Sequence, residues 1–419
     1  MKNTRPLLIL SLMPWAWAPA HAVSDPWLPP DAVVIQAVAS SPTWQAQIRQ
    51  SLADAARADQ HAHIEQPWTT LASYGQRRNR APAIDPQEAR TREWSVGLEK
   101  QTRWPGQTRA AEQWAQEAQA LKDAQAQQAW QQQLQELLDL HQAWLTAALT
   151  EKHWLTQRDL AQQQVDAIRK RQKMGDATRV DLLQVEAALA QAQSKQLESA
   201  ELTRQAARKL QSRYPTWPLT LPAETSLQPP QSNALPAAES IEQLSLSHPD
   251  VKVAQARLRL SQAQLNEARA RTQPAPTVGV NWAHDNSGRE RTWTVTLSLP
   301  LGSTYQQLDR QALAYDSEAA AAQSQQAQRD VQTLLQAQHS ALQVGTQQWT
   351  LEYQATTQLQ AVVQSLSKGM ALGETPLNEV LNTQRLATQQ SIELIQRYFQ
   401  LKALEWRWLA GTQQAWMQP

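Results

Sequence analysis

Residues 107–174 read QTRAAEQWAQEAQALKDAQAQQAWQQQLQELLDLHQAWLTAALTEKHWLTQRDLAQQQVDAIRKRQKM. These sixty-eight residues contain neither Gly nor Pro, although the whole chain holds 23 prolines. Both residues break helices, so one unbroken helix is the natural reading, roughly 100 Å long at ~1.5 Å rise per residue. The run stops at Met174-Gly175-Asp176, and a second breaker-free run, Asp176 to Tyr214, begins at once. A long helix, a tight turn and a returning helix make a helical hairpin. The second half of the chain carries its match. Ser303 to Lys368 holds only Gly345, Gly373 makes the turn, and Thr375 to Ala410 returns with Pro376 in its first turn.

The helices are rich in Gln and Ala, and mean hydropathy is −0.59. They are suited to burying narrow seams: Trp130, Leu134, Leu137, Trp144 and Ala148 fall near a 3.5-residue rhythm. A solvated coiled coil and a wall with water on both sides fit this pattern equally. Residues 1–22 read as a secretory signal peptide, with basic Lys2 and Arg5, an apolar stretch from Pro6 to Trp17, and an Ala20-His21-Ala22 cleavage site. Without it the chain carries 37 basic and 38 acidic residues, a near-neutral balance that gives no reason to expect nucleic acid. There is no cysteine, hence no disulfide, no thiolate chemistry and no lipid-anchoring thiol. No apolar run after the signal is long enough for a spanning helix. A transmembrane β-barrel remains open, because its alternating strands keep hydropathy low.

In chain order, Val23 to Pro30 reads as irregular, Asp31 as the cap of a short helix through Ser40, and Ser41-Pro42 as the start of a helix ending at Pro67. Strands are expected at Trp68–Tyr74 and Glu93–Glu99, separated by a polar loop from Gly75 to Arg92. Six prolines between Pro215 and Pro236 mark a linker. The programme then restarts: Ser240 opens a short helix, Ser247-His248-Pro249 caps the next, and strands follow at Thr277–Trp282 and Thr292–Leu299 around a turn-like Asp285-Asn286-Ser287-Gly288. Pro42 and Pro67 recur as Pro249 and Pro274, each shifted by 207, which indicates an internal duplication. The expected organisation is a signal peptide (1–22), a first repeat (23–214; β-hairpin 68–99, helical hairpin 107–214), a linker (215–239), a second repeat (240–411; β-hairpin 277–299, helical hairpin 303–410) and a tail (412–419).

The strands alternate. Trp293, Val295, Leu297 and Leu299 face one way, Thr292, Thr294, Thr296 and Ser298 the other; Trp94, Val96 and Leu98 oppose Ser95 and Gly97 in the same manner. A half-buried sheet packed on a helix would show this pattern, but the neighbouring helices are too Gln-rich to offer a matching apolar face. The other reading puts lipid on the apolar face and water on the polar one. Four strands cannot close a barrel and lipid tolerates no open edge, so the partner is another copy of the chain. Three copies make twelve strands.

At this point the sequence resembles the TolC family of outer-membrane efflux proteins, the outer membrane factors of tripartite systems, over nearly the whole mature chain. Ser-His-Pro-Asp-Val at 247–251 looks like the family's helix opening, and Leu297-Ser298-Leu299-Pro300-Leu301-Gly302 like its strand-to-helix exit. The segments at 175–183 (GDATRVDLL) and 373–381 (GETPLNEVL) look like its two periplasmic turns. The resemblance implies a mainly α fold with a small β part: long antiparallel helical hairpins forming an α-helical barrel, and four strands per chain in a homotrimeric twelve-stranded barrel in the cell outer membrane. It implies a tunnel extending into the periplasm, a periplasmic adaptor docked at its tip, and an inner-membrane pump beyond. Met174, Gly175, Leu372 and Gly373 match the adaptor-docking tip; Glu379 and Asp181 match carboxylates at the pore entrance, and Asn382 stands where a second carboxylate is common. Both acids also suit a helix start, where they meet the macrodipole.

Trp68, Trp94, Trp282 and Trp293 lie on or beside strands, where either an interfacial aromatic belt or core packing would place them. Arg77, Arg78 and Arg80 fall in the first strand-to-strand loop. His61, His63 and Glu65 are a poor metal set, because helical residues two apart point to different faces. No catalytic constellation appears, and nothing calls for a cofactor or a metal. The sequence therefore reads as a non-enzymatic exit duct passing small molecules or metal cations. The alternatives are a type I protein secretion duct and a secreted periplasmic coiled-coil scaffold that never enters a membrane.

Overall fold

Twelve elements are present among the residues described by a computed structural model, which are 25–62, 68–78, 90–222, 227, 240–272, 275–285, 288–299, 304–412 and 416. The first half runs α1 (Asp31–Ala39), α2 (Pro42–Ala62), β1 (Thr69–Arg78), β2 (Arg90–Gln101), α3 (Pro105–Met174) and α4 (Arg179–Arg213). The second runs α5 (Ile241–Ser247), α6 (Pro249–Ala270), β3 (Thr277–Asp285), β4 (Glu290–Ser298), α7 (Thr304–Leu372) and α8 (Leu377–Gly411). The fold is mainly α with a small antiparallel sheet, as expected. Corresponding helices match closely in length: 70 and 69 residues for α3 and α7, and 35 each for α4 and α8. The expected signal peptide, most of the linker, His63, Glu65 and Arg80 lie outside the described residues.

Local chemistry moves several boundaries. α3 begins at Pro105, two residues before the breaker-free run, because a first-turn proline gives up no helical hydrogen bond. α4 begins at Arg179, not Asp176, because Thr178 is held extended as its N-cap. Asp31 is not the cap of α1; Pro30 occupies that position, and the Asp31 carboxylate accepts a hydrogen bond from Trp416 Nε1 at 2.7 Å. The cap of α6 is His248, whose Nδ1 accepts from the Asp250 amide, while the Ser247 hydroxyl donates to Leu244. The first β-hairpin is longer than its apolar alternation suggests. Gly75 to Arg78 and Arg90 to Arg92 pair as strand, so Arg77 and Arg78 belong to β1 rather than to a loop.

The chain forms two compact units, each drawing on both halves. One comprises residues 1–42, 130–237 and 336–419. Here Trp130, Leu134, Leu137, Trp144 and Ala148 are buried as the seam required, but so are Leu138, His141 and Leu145. The packed stripe is thus wider than a coiled-coil seam, and aromatic rings fill it: Trp217, Trp349, Phe399, Trp406 and Trp408 are all buried. The segment Asp25–Trp27 straps onto this core. The Trp27 indole N–H donates to the Tyr398 hydroxyl at 2.9 Å, and its ring stands edge-on to Phe399 at 5.0 Å. Asp25 accepts from Trp406 Nε1 at 2.8 Å and pairs with Lys402 at 3.2 Å. Burial works against the Lys402 ammonium, but Asp25 and then Glu405 outweigh it and its pKa is raised.

The second unit comprises residues 43–129 and 238–335 and contains the sheet, in strand order β1-β2-β3-β4. Every neighbouring pair is antiparallel. Its helices hold two buried clusters, one of Ala58, Ala115 and Ala118 and another of Leu121, Val253 and Ala256. β1 and β4 are the sheet's two edges.

Candidate functional site

Both helical hairpins turn in the same way. The Gly175 amide donates to Gln172 O and the Asp176 amide to Arg171 O; likewise Gly373 donates to Met370 O and Glu374 to Gly369 O. This paired pattern closes a helix C-terminus only if the residue after the last turn is left-handed, and Gly175 and Gly373 have φ of 87° and 81°. The two ends adjoin. Arg171 Nη1 donates to Met370 O at 3.2 Å, and Val165, Ile168, Val185 and Leu377 form a buried cluster against Met370, Leu182 and Leu381. Met174 and Leu372, one before each glycine, are left 68% and 76% exposed. The four expected tip residues therefore present two apolar side chains on two rigid turns.

The two expected entrance carboxylates are equivalent in position, each third in its helix, and differ in what holds them. Asp181 accepts from the Thr178 amide at 2.9 Å and from its hydroxyl at 2.8 Å, while Thr178 Oγ1 accepts from the Asp181 amide. This reciprocal capping box holds the Asp181 carboxyl below its ordinary pKa, the Thr178 amide being the largest cause. In α8 the cap is Pro376, which has no amide hydrogen and no side-chain donor. The Glu379 carboxylate makes no hydrogen bond or ion pair among the described residues and is exposed. Asn382, with Asn378, Gln157, Gln164 and Gln184, lines an amide-rich groove of about 480 Å³ between α3, α4 and α8.

The sheet shows the alternation in three dimensions. Its register sets Trp94, Val96 and Leu98 beside Val280, Trp282, Trp293 and Val295 on one face. Nothing among the described residues of the unit covers that face: Trp293 and Val295 are 71% and 75% exposed. The opposite face is polar, with Thr69, Ser73, Ser95, Asn281, Thr292, Thr294 and Thr296. Gly279 makes room there, since a Cβ would collide with Glu99 and Thr296 side chains. Of the expected belt tryptophans, three meet: Trp282 lies edge-on to Trp94 at 5.1 Å and stacked with Trp293 at 6.0 Å. Trp68 is at the other end of the face, under the Lys100 ammonium at 5.2 Å. Reading side chains one at a time missed Lys100 and His284, which stacks on Trp94; strand parity was the available signal.

His141 is gripped on both ring nitrogens. Trp217 Nε1 donates to its Nδ1 at 3.1 Å, so the ring proton sits on Nε2, which donates to Trp27 O at 2.8 Å. Burial lowers its pKa from 6.5 to about 4, so it is neutral and structural. Among the described residues no group of three His, Asp or Glu side chains is placed to hold a metal, and no helix is long and apolar enough to cross a membrane.

No protein-family description and no curated sequence matches the chain. Solved structures do. A membrane protein from Pseudomonas aeruginosa superposes with a TM-score of 0.76 at 15% identity, covering 98% of this chain and 96% of that one. The Campylobacter jejuni CmeC outer membrane channel gives 0.72 at 11% identity over 92% and 86%. The Neisseria gonorrhoeae MtrE outer membrane channel, crystallised in its open state, gives 0.66 at 14% identity over 93% and 90%. At such identities the likeness establishes the fold, over nearly the full length of each chain.

Proposed function

We propose that this chain, whose fold is that of outer-membrane efflux channels, is itself the exit duct of a tripartite efflux system. The observation that carries the reading is the four-stranded sheet, with its exposed apolar face, polar reverse and two open edges. In water such a face and such edges are an aggregation hazard. In a bilayer the apolar face is solvated by lipid, and the edges must be paired. The β4 edge of one copy can pair antiparallel with β1 of the next, and three copies close twelve strands into a barrel. The helical hairpins then continue as a tunnel into the periplasm. Met174 and Leu372, exposed on their turns, offer an adaptor protein two apolar contacts. The free Glu379 carboxylates, three per trimer, favour cations at the mouth, whereas Asp181 is occupied in capping. Transport energy comes from an inner-membrane pump, and the cargo is small molecules or metal cations.

The test is single-channel recording in planar bilayers with the purified protein and its Glu379→Gln variant. A discrete conductance whose cation preference drops in the variant is expected. A folded protein that is monomeric, fractionates away from outer membranes and never conducts would overturn the duct.

A further inference from the structure

The polar face of the sheet holds charge mostly of one sign. By register it carries Glu93, Glu99, Asp285 and Glu290, with Arg77 as its base. The other Lys and Arg residues of the described strands, Arg78, Arg90, Arg92, Lys100 and Arg291, all fall on the apolar face. Three of the four acids are engaged. Glu93 pairs with Arg77, Nε to Oε1 at 3.1 Å, Asp285 accepts from the Thr292 hydroxyl at 3.3 Å, and Glu290 has a contact of its own. The Glu99 carboxylate makes no hydrogen bond or ion pair among the described residues, although the side chain is half-buried. Space has been cleared for it. Glu99 lies opposite Gly279, where a Cβ would stand 2.6 Å from Glu99 Cγ, 3.2 Å from its Oε1 and 2.6 Å from Thr296 Oγ1. The ladder runs through Gly279 without a bulge, and glycine weakens a strand interior. What it provides here is room: Glu99 leans across β3 toward Thr296 and lies along the sheet instead of standing off it.

We propose that Glu99 is a charge-selecting residue of the duct: one carboxylate per copy, laid against the inner wall near the helix end of the sheet, that favours small cations over anions in transit. The proposal rests on the reading of the sheet as the wall of a duct. A carboxylate held by a cationic side chain spends its field on that partner, whereas an unpaired one projects it into the water alongside. Lys100, its neighbour in sequence, is on the opposite face over Trp68, so strand parity keeps that base from cancelling it. Lipid behind the wall would add to the effect, because a low-dielectric boundary focuses field lines into the aqueous side. The Thr296 hydroxyl borders the same cleared space, and an all-oxygen lining of this kind suits hard cations. A single carboxylate is too little to retain an ion, and no group of three His, Asp or Glu is placed to do so among the described residues. The geometry therefore serves passage and not storage, as acidic rings do in cation channels. Because the side chain lies flat, it supplies charge without narrowing the bore.

The chain has no cysteine, so a single introduced thiol reports the local field in the intact protein reconstituted into phosphatidylcholine vesicles. The probes are two water-soluble methanethiosulfonates, one carrying a trimethylammonium group and one a sulfonate, with rates taken relative to those for a free thiol in solution. At Thr296→Cys, beside Glu99, the cationic reagent should be favoured roughly tenfold, and adding Glu99→Gln should cut that preference by about threefold or more. Lys100→Gln, on the other face, should leave it in place. In planar bilayers the reversal potential in a potassium chloride gradient should move toward zero in Glu99→Gln, and should do so again in a Glu379→Gln background. A charge preference at Thr296→Cys that survives Glu99→Gln, or a reversal potential that does not move, would overturn the proposal. Val295→Cys separates the two levels. If it stays unreactive while Thr296→Cys reacts without charge preference, the wall stands and the role of Glu99 fails. If Val295→Cys reacts as fast as Thr296→Cys, the membrane reading beneath the proposal fails.

Discussion

At the scale of single residues, position and role come apart. Asp181 and Glu379 stand at the same place after the same kind of turn, and the sequence spacing makes that equivalence visible. What separates them is one residue upstream of the helix. Thr178 offers an amide and a hydroxyl, and Pro376 offers neither, so one carboxylate caps its helix and the other is left to solvent. That difference is written in the sequence but is easily passed over, because both acids also satisfy the general preference for negative charge at a helix start. His141 gives the opposite lesson. Nothing in the local sequence marks it out from the other histidines, yet its two ring contacts come from Trp27 and Trp217. Its folded pKa, about 4, lies below the unfolded value of 6.5. The unfolded chain therefore binds a proton first as pH falls, and stability is lost from about 6.5 downward. Between pH 7 and pH 5 this one group should cost about 2 kcal/mol. Urea unfolding at the two pH values reads it: the midpoint should fall more in the wild type than in His141→Gln. An equal fall in both would mean that His141 is not the group titrating.

Among the elements, those built from local signals were the most legible. Scarcity of Gly and Pro announced α3, α4, α7 and α8, and period-two alternation announced the sheet. The paired prolines announced the repeat of α2 in α6. Three features were not legible. The outer part of the first hairpin is polar on both faces, so no alternation marks it, and only the ladder of partners through Arg78 and Arg90 defines it as strand. The cap of α1 fell one residue from the expected Asp31, and within the expected Ser247-His248-Pro249 cap of α6 it is the histidine, not the serine, that accepts the amide. The strap at Asp25–Trp27 depends on residues more than three hundred and fifty positions away, and no window of sequence contains both sides of that contact. It is nonetheless an energetic element. Trp27 is buried among Tyr398, Phe399 and His141, so Trp27→Ala should cost about 3–5 kcal/mol, the range for deleting a large core aromatic. A denaturant midpoint unchanged in that variant would show that the strap docks without contributing to the fold.

For the whole molecule, the long helices and the sheet pose one question, namely what solvates the apolar face. The core of the tryptophan-rich unit is filled by its own rings, but the sheet's apolar side is left with Val295 three-quarters exposed on a strand whose outer edge is unpaired. Adjacent residues on β4 separate the possible answers, because Thr294 and Val295 differ in face and in little else. Val295→Lys places a charge where the proposed barrel meets lipid, at a cost of about 2–4 kcal/mol per copy near the bilayer midplane. Thr294→Lys places the same charge on the water-facing side at almost no cost. The expectation is that Val295→Lys loses the outer-membrane fraction and the heat-resistant oligomer, while Thr294→Lys keeps both and shifts conductance away from cations. Were both faces wet, as in a periplasmic scaffold, an added lysine would be harmless at either position and would, if anything, improve solubility at Val295. Equal behaviour of the two variants would therefore remove the membrane from the argument, and with it the need for three copies to close the sheet.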